Sequence, residues 1–223
     1  MAHRVSLRYL AAKLAASAEE VAIQMQNSAT TGLTEALAKG MEAFRRQLTG
    51  VGVVTGISMA PTLNADALTQ PDAAEKFLMR LIPRPVAQRS VFDGDVIAFT
   101  SPLVSPGSSM EQIMVRRVAA LEGEELVSDE PDEDGGTMVI PKGYCWVLAD
   151  NEELTFPDVI DSRTFGPLPL NNVLGRVMYA ARSQTDHGPV ENSIAGMESD
   201  AAVLEAELDL DTLVGENGEK NEE

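Results

Sequence analysis

Two periodicities divide this chain. In the N-terminal part, Leu7, Leu10, Leu14, Val21 and Met25 form one apolar stripe, and Leu33, Leu37, Met41, Phe44 and Leu48 form a second. Recurrence every three or four residues keeps side chains on one face of an α-helix. The spacing therefore predicts two helices, separated by the turn formers between Asn27 and Gly32. From Val51 the pattern changes to short runs rich in β-branched residues: Val51–Val54, Val96–Phe99, Ile113–Ala120 and Cys145–Leu148. Glycine, proline and aspartate separate these runs, which predicts a mainly β core with long connections. One connection, from Gln70 to Ile82, sets Ala74, Phe77, Leu78 and Leu81 at helical spacing and ends before Pro83 and Pro85. It reads as an inserted helix. The acidic run Ser128–Gly136 reads as a solvated hairpin tip. Its Glu130, Asp132, Asp134 and Gly135 approach calcium-loop spacing, but the twelfth position is Pro141 and the flanks are strand-like, so no metal is expected there.

Charge sharpens this division. The net charge of −18 is spread unevenly. Residues 1–50 carry six basic and four acidic side chains, residues 51–183 ten and nineteen, and residues 184–223 one and twelve. Three parts follow: a helical N-terminal extension (1–50), a β domain (51–183) and an acidic tail (184–223). The tail is poor in aromatics and is expected to be disordered, apart from Val203–Val214, which mixes acid with leucine and could fold against a partner. The absence of a clustered basic face argues against nucleic acid as a partner. No run reaches the roughly 20 apolar residues that cross a bilayer, because residues 47–65 are broken by Gly50, Gly52, Gly56, Pro61 and Asn64. Peripheral membrane association remains open. Arg4, Arg8 and Lys13 precede the first acid, Glu19, a composition that reads as an organellar targeting segment or as a plain amphipathic helix. Cys145 is the single cysteine, which rules out an internal disulfide and reads as a small core residue.

The candidate chemistry centres on a serine. Both histidines, His3 and His187, fall in the extensions, so a Ser-His-Asp triad within the domain is not expected. A serine–lysine dyad is the remaining option, in which burial strips the proton from a lysine amine.

The segment Gly56-Ile57-Ser58-Met59-Ala60-Pro61-Thr62 resembles the serine box of the type I signal peptidase family. Further boxes follow in that family's order: Gly94-Asp95-Val96-Ile97 with Ser101-Pro102, Val115 to Glu124, and Ile140-Pro141-Lys142-Gly143 leading to Asp150-Asn151. Asp161-Ser162-Arg163-Thr164-Phe165-Gly166-Pro167 and Gly175-Arg176 complete the set. The resemblance covers roughly Val51 to Arg182, and Gly56 and Leu121-Glu122-Gly123 are similar to the mitochondrial inner-membrane branch. It implies the complex, mainly β signal-peptidase fold, with Ser58 as nucleophile, its own backbone N–H at the oxyanion, and small side chains preferred before the cut. It also implies an Asp161–Arg163 ion pair, with Ser162, supporting the site, Met59 packed beneath it, and no cofactor.

Three departures bear on activity. Arg116 stands where the general-base lysine belongs, Ala149 replaces a glycine before Asp-Asn, and Val159 replaces a serine. A guanidinium stays protonated and cannot accept the serine proton. Lys76 and Lys142 are the remaining core lysines. Arg116 is expected to fill the lysine site while pairing with an acid. Two functions stay open. One is leader-peptide processing at the mitochondrial inner membrane, with a plastid as the alternative compartment. The other is a non-catalytic subunit of a larger organellar complex, with leader peptides or other subunits as partners.

Overall fold

The computed structural model describes residues 6–27, 32–103, 112–127, 137–155 and 157–214. Helices α1 (Leu7–Asn27) and α2 (Leu33–Arg45) come first, followed by strands β1 (Thr49–Thr55), β2 (Ala74–Leu81), β3 (Val96–Thr100) and β4 (Ile113–Leu121). Next are β5 (Glu125–Val127), β6 (Thr137–Val139), β7 (Tyr144–Leu148), β8 (Leu168–Pro169), β9 (Val173–Ala181) and β10 (His187–Pro189). A short α3 (Ala87–Ser90) precedes β3, a short α4 (Ser162–Phe165) lies between β7 and β8, and α5 (Ile194–Glu207) and α6 (Leu210–Val214) close the described chain. The main sheet is antiparallel in the order β1-β2-β9-β3-β4-β7-β8, with β10 added along β9. β5 and β6 pair as a separate hairpin, and the calcium-like run between them lies outside the described residues.

Two apolar clusters fill the sheet. Ile97, Phe99, Val118, Cys145, Val147 and Leu168 occupy one, and Met59, Leu63, Phe77, Val96, Val115 and Val177 the other. Cys145 is fully buried in the first, and burial pushes its thiol up to about 12. A raised thiol pKa stabilises the fold below the free-thiol value and is lost as pH climbs toward 12. Iodoacetamide at pH 8 should therefore modify Cys145 no faster than the chain unfolds; modification of the folded protein within minutes would contradict this placement.

The expected helix at Gln70–Ile82 is instead strand β2, paired with β1 on one side and β9 on the other. The strand is buried on both faces at its centre, because Phe77 and Met79 pack toward the core while Leu78 meets Met178 and Leu213 behind it. Leu78 thereby interrupts the period-two alternation that marks a half-exposed strand.

The expected disordered tail is also overturned as far as Val214, and residues 215–223 lie outside the described residues. Residues after Ser183 add β10, and α5 packs on β9. Ser193 caps α5 by accepting from the Gly196 N–H at 3.0 Å, and Leu213 on α6 is 1% exposed. Several acids that made this segment look solvated are internal partners. Asp200 accepts from Arg176 Nε at 2.8 Å and lies 3.8 Å from Arg80. Glu207 accepts from Tyr9 Oη at 2.6 Å and from the N–H groups of Leu48 and Thr49. It thereby joins α1, β1 and α5.

The helices α1 and α2 form, but not with their apolar stripes inward. They pack on each other through small residues: Ser17 Oγ donates to the Gly40 carbonyl at 2.7 Å, and a Cβ at Gly40 would sit 2.4 Å from Val21. Ala12, Ala15, Ala16 and Glu19 face the body of the protein across a cavity of about 210 Å³. Leu7, Leu14, Met25, Leu33, Leu37 and Met41 are left exposed. Among the described residues no helix is long and apolar enough to cross a membrane.

Candidate functional site

The serine turn is fixed from below and from the side. β1 ends at Thr55, and Gly56 takes φ +76°, a left-handed conformation in which a Cβ is strained. Met59 and Leu63, both fully buried, anchor the turn in the core, as expected of Met59. Asn64 also adopts a left-handed conformation and donates to the carbonyls of Gly56 (3.0 Å) and Ala73 (2.9 Å), while its N–H is held by buried Glu75. Asn151 donates its N–H to the Ser58 carbonyl at 3.1 Å and its amide to the Ile57 carbonyl at 3.0 Å. Ser58 is therefore held at four neighbouring points and is itself half-buried. The supporting role of Asn151 is not derivable from residue type; its position in the Asp150-Asn151 box is the only signal.

Arg116 enters on β4, opposite Ile97 of β3. Its Nη1 donates to Ser58 Oγ at 3.0 Å and to the Val115 carbonyl at 2.6 Å, and its Nε and Nη2 both donate to the Ile160 carbonyl, at 3.0 and 2.7 Å. The expected acid partner is missing: among the described residues no carboxylate lies within ion-pair distance of this guanidinium. Burial pulls its pKa down to about 10, against the more distant pull of Asp161 and Asp150. Three units above neutrality leave only about one neutral molecule in a thousand. Arg116 is thus a buried cation resting on neutral oxygens. Toward Ser58 it is a donor, and a donor cannot take the hydroxyl proton.

The neighbouring loop is held separately. Asp161 is fully buried and caps α4, accepting from Arg163 N at 3.0 Å, Arg163 Nη2 at 2.7 Å and Ala149 N at 3.1 Å. Burial alone would raise its pKa, but the bonds from Arg163 and Ala149 outweigh burial and hold the carboxyl below the usual range. Ser162 Oγ accepts from the Val147 N–H at 2.9 Å and ties the loop to β7. Val159 is buried, which presents the following carbonyl, that of Ile160, to Arg116. Sequence reasoning missed the fork of Arg117 on Asp150, with bonds of 2.9 and 2.7 Å, which joins β4 to the start of the Asn151 turn.

Neither alternative base is in place. Lys76 lies on β2 opposite Val53, Lys142 is exposed, and among the described residues neither bonds to Ser58. His187, expected in the tail, sits on β10 and meets Tyr179 Oη at 2.6 Å. His3 lies outside the described residues. No cluster of three metal-ligating side chains occurs among the described residues.

A tight serine turn thus lies beside a guanidinium from β4 and is braced by a capped Asp-Ser-Arg loop. The chain belongs to the type I signal peptidase family. It is 39% identical over 159 residues, 71% of its length, to mitochondrial ATP-independent inner membrane protease subunit 2 of Arabidopsis thaliana, and the match covers 70% of that protein. It is 27% identical to mitochondrial inner membrane protease subunit 1 of Mus musculus, covering 66% of this chain and 78% of the other. It is also 27% identical to the probable thylakoidal processing peptidase 2 of Arabidopsis thaliana, spanning 39% of that longer protein. No protein-family model matches the chain.

Proposed function

We propose that this chain is a non-hydrolysing member of the family, acting as a peptide-binding or accessory subunit of a leader-processing assembly at the mitochondrial inner membrane. One observation carries the reading: the side chain that reaches Ser58 Oγ is a protonated guanidinium, bonded as a donor. The serine turn and the Asp161–Arg163 loop are held in place despite the changes at Ala149 and Val159, and β1 presents a strand edge that leads directly into the serine turn. An extended peptide can add along such an edge through its backbone.

The test is cleavage of a leader peptide carrying small residues before the cut. The unmodified chain should show no turnover above buffer. Arg116→Lys combined with Val159→Ser should give slow turnover that Ser58→Ala removes. Cleavage by the unmodified chain, abolished by Ser58→Ala, would sink the reading and send the search for a base to Lys76, Lys142 or a partner subunit.

Placement at a membrane is supported by the helical hairpin. The Ser17–Gly40 packing and the wheel positions set the leucine stripes of α1 and α2 on the same side, away from the sheet. On α2, Arg45 borders that face, whereas Glu35 and Glu42 point elsewhere on the wheel. An exposed apolar face with a basic residue at its border suits the interface of an anionic bilayer. The chain should co-float with vesicles of three parts phosphatidylcholine to one part cardiolipin, and much less with phosphatidylcholine alone. Leu14→Asp with Leu37→Asp, both at exposed positions, should abolish flotation without shifting the thermal midpoint; unchanged flotation would exclude this face.

A further inference from the structure

Four arginines of the described residues invite comparison, and one of them differs from the rest. Arg176 is bonded to Asp95 at 2.6 Å and Asp200 at 2.8 Å, Arg117 forks on Asp150, and Arg163 forks on Asp161. Each has its charge met by a carboxylate. Arg116 is 7% exposed, yet its acceptors are two backbone carbonyls and a hydroxyl. Neutral oxygens satisfy hydrogen bonds but put no anion in contact with the charge, which Asp161 and Asp150 offset only from a distance, and a buried charge so placed gains when an anion binds. The donor count agrees. Of five guanidinium N–H groups, four are directed at Ile160, Ser58 and Val115, which leaves one on Nη2. Because Ser58 Oγ accepts from Arg116, its own O–H is also available. Among the described residues, two donors are therefore left at the half-buried turn that β1 leads into, one on Arg116 and one on Ser58.

We propose that Arg116 and Ser58 form a receptor for the C-terminal carboxylate of a peptide, so that the chain retains the product of a processing reaction rather than an intact precursor. The inference rests on the reading that the cleft beside Ser58 holds peptide. One carboxylate oxygen accepts from Arg116 Nη2 and the other from the Ser58 O–H, and no bond is made or broken in the peptide. The charge-assisted contact favours the acid strongly. A C-terminal amide loses it twice, since it brings no charge and turns an NH₂ toward groups that are themselves donors.

The test compares two fluorescent octapeptides of one sequence ending in alanine, one with a free carboxylate and one with a C-terminal amide. Binding is followed by anisotropy on the full unmodified chain at pH 7.5. The acid should bind at least tenfold more tightly. Arg116→Met should remove that preference by weakening the acid, and Ser58→Ala should reduce the preference severalfold. Equal binding of acid and amide by the unmodified chain would overturn the carboxylate receptor and leave the peptide cleft standing. Binding of neither would overturn both. Because the decisive comparison uses the unmodified chain, poor folding of a variant cannot rescue or sink the inference.

Discussion

Truncation after Asn192 should collapse the fold rather than trim it. The cut removes Asp200, which meets Arg176 at 2.8 Å and Arg80 at 3.8 Å, and Ser193, whose hydroxyl donates to Asp95 at 2.6 Å. It removes Leu213 from its contact with Leu78 and Met178, and it frees the backbone N–H groups of Leu48 and Thr49 from Glu207. Loss of an acid from a buried ion pair costs about 3–5 kcal/mol, and uncovering an apolar cluster adds to that. At roughly 2–4 °C per kcal/mol for a chain of this size, the thermal midpoint should fall by more than about 10 °C. Differential scanning calorimetry of the truncated chain checks this. A midpoint within a few degrees of the full chain would mean that α5 and α6 are dispensable riders on the sheet.

This expectation runs opposite to the one that composition suggests, and the reason is instructive. Acid-rich sequence reads as solvated because carboxylates are rarely buried alone. Composition cannot show that Asp200 and Glu207 each meet partners from elements far away in the chain, Arg176 on β9 and Tyr9 on α1. The same limitation affects β2. Its helical spacing of Ala74, Phe77, Leu78 and Leu81 is real, but Leu78, buried under α6 between Lys76 and Arg80, interrupts the polar face that would betray a period of two. The helices α1 and α2 are legible as helices. Their orientation is not, since a hydrophobic stripe is normally assigned to the core and here alanine, serine and glycine make the internal contacts. Glycine at position 40 allows that close approach.

The proximity of Ser58 and Arg116 is legible, because boxes in a fixed order imply a fixed topology. What meets the guanidinium is not. An arginine in a buried position invites an acid as partner, and the sequence offers nineteen acidic residues between 51 and 183. The backbone supplies the answer instead. Buried Val159 and the cap at Asp161 set the Ile160 carbonyl in front of Nε and Nη2, a placement that depends on loop geometry and not on residue type.

Arg176→Met should be the most damaging single substitution in the sheet. Arg176 is 2% exposed, and removing its charge leaves Asp95 and Asp200, both buried, without their shared cation. The expected cost is about 3–5 kcal/mol. The effect should depend on pH with a definite sign. Burial already raises the Asp200 pKa above its ordinary value while Arg176 opposes that rise, so without the arginine it should climb further. A carboxyl whose folded pKa exceeds its unfolded value binds protons preferentially in the folded state. Its stabilising contribution is complete below the unfolded pKa and disappears as pH rises through the folded one. The Arg176→Met variant should therefore lose less stability, relative to the unmodified chain, at pH 5 than at pH 8. Adding Asp200→Leu should return part of the loss at pH 8, because one unpaired buried carboxylate is then removed. Chemical denaturation of the single and double variants at both pH values checks each step. A deficit independent of pH and unrelieved by Asp200→Leu would show that Arg176 supports the sheet through packing alone, against Phe92 and the α5 backbone at Gly196, and not through charge.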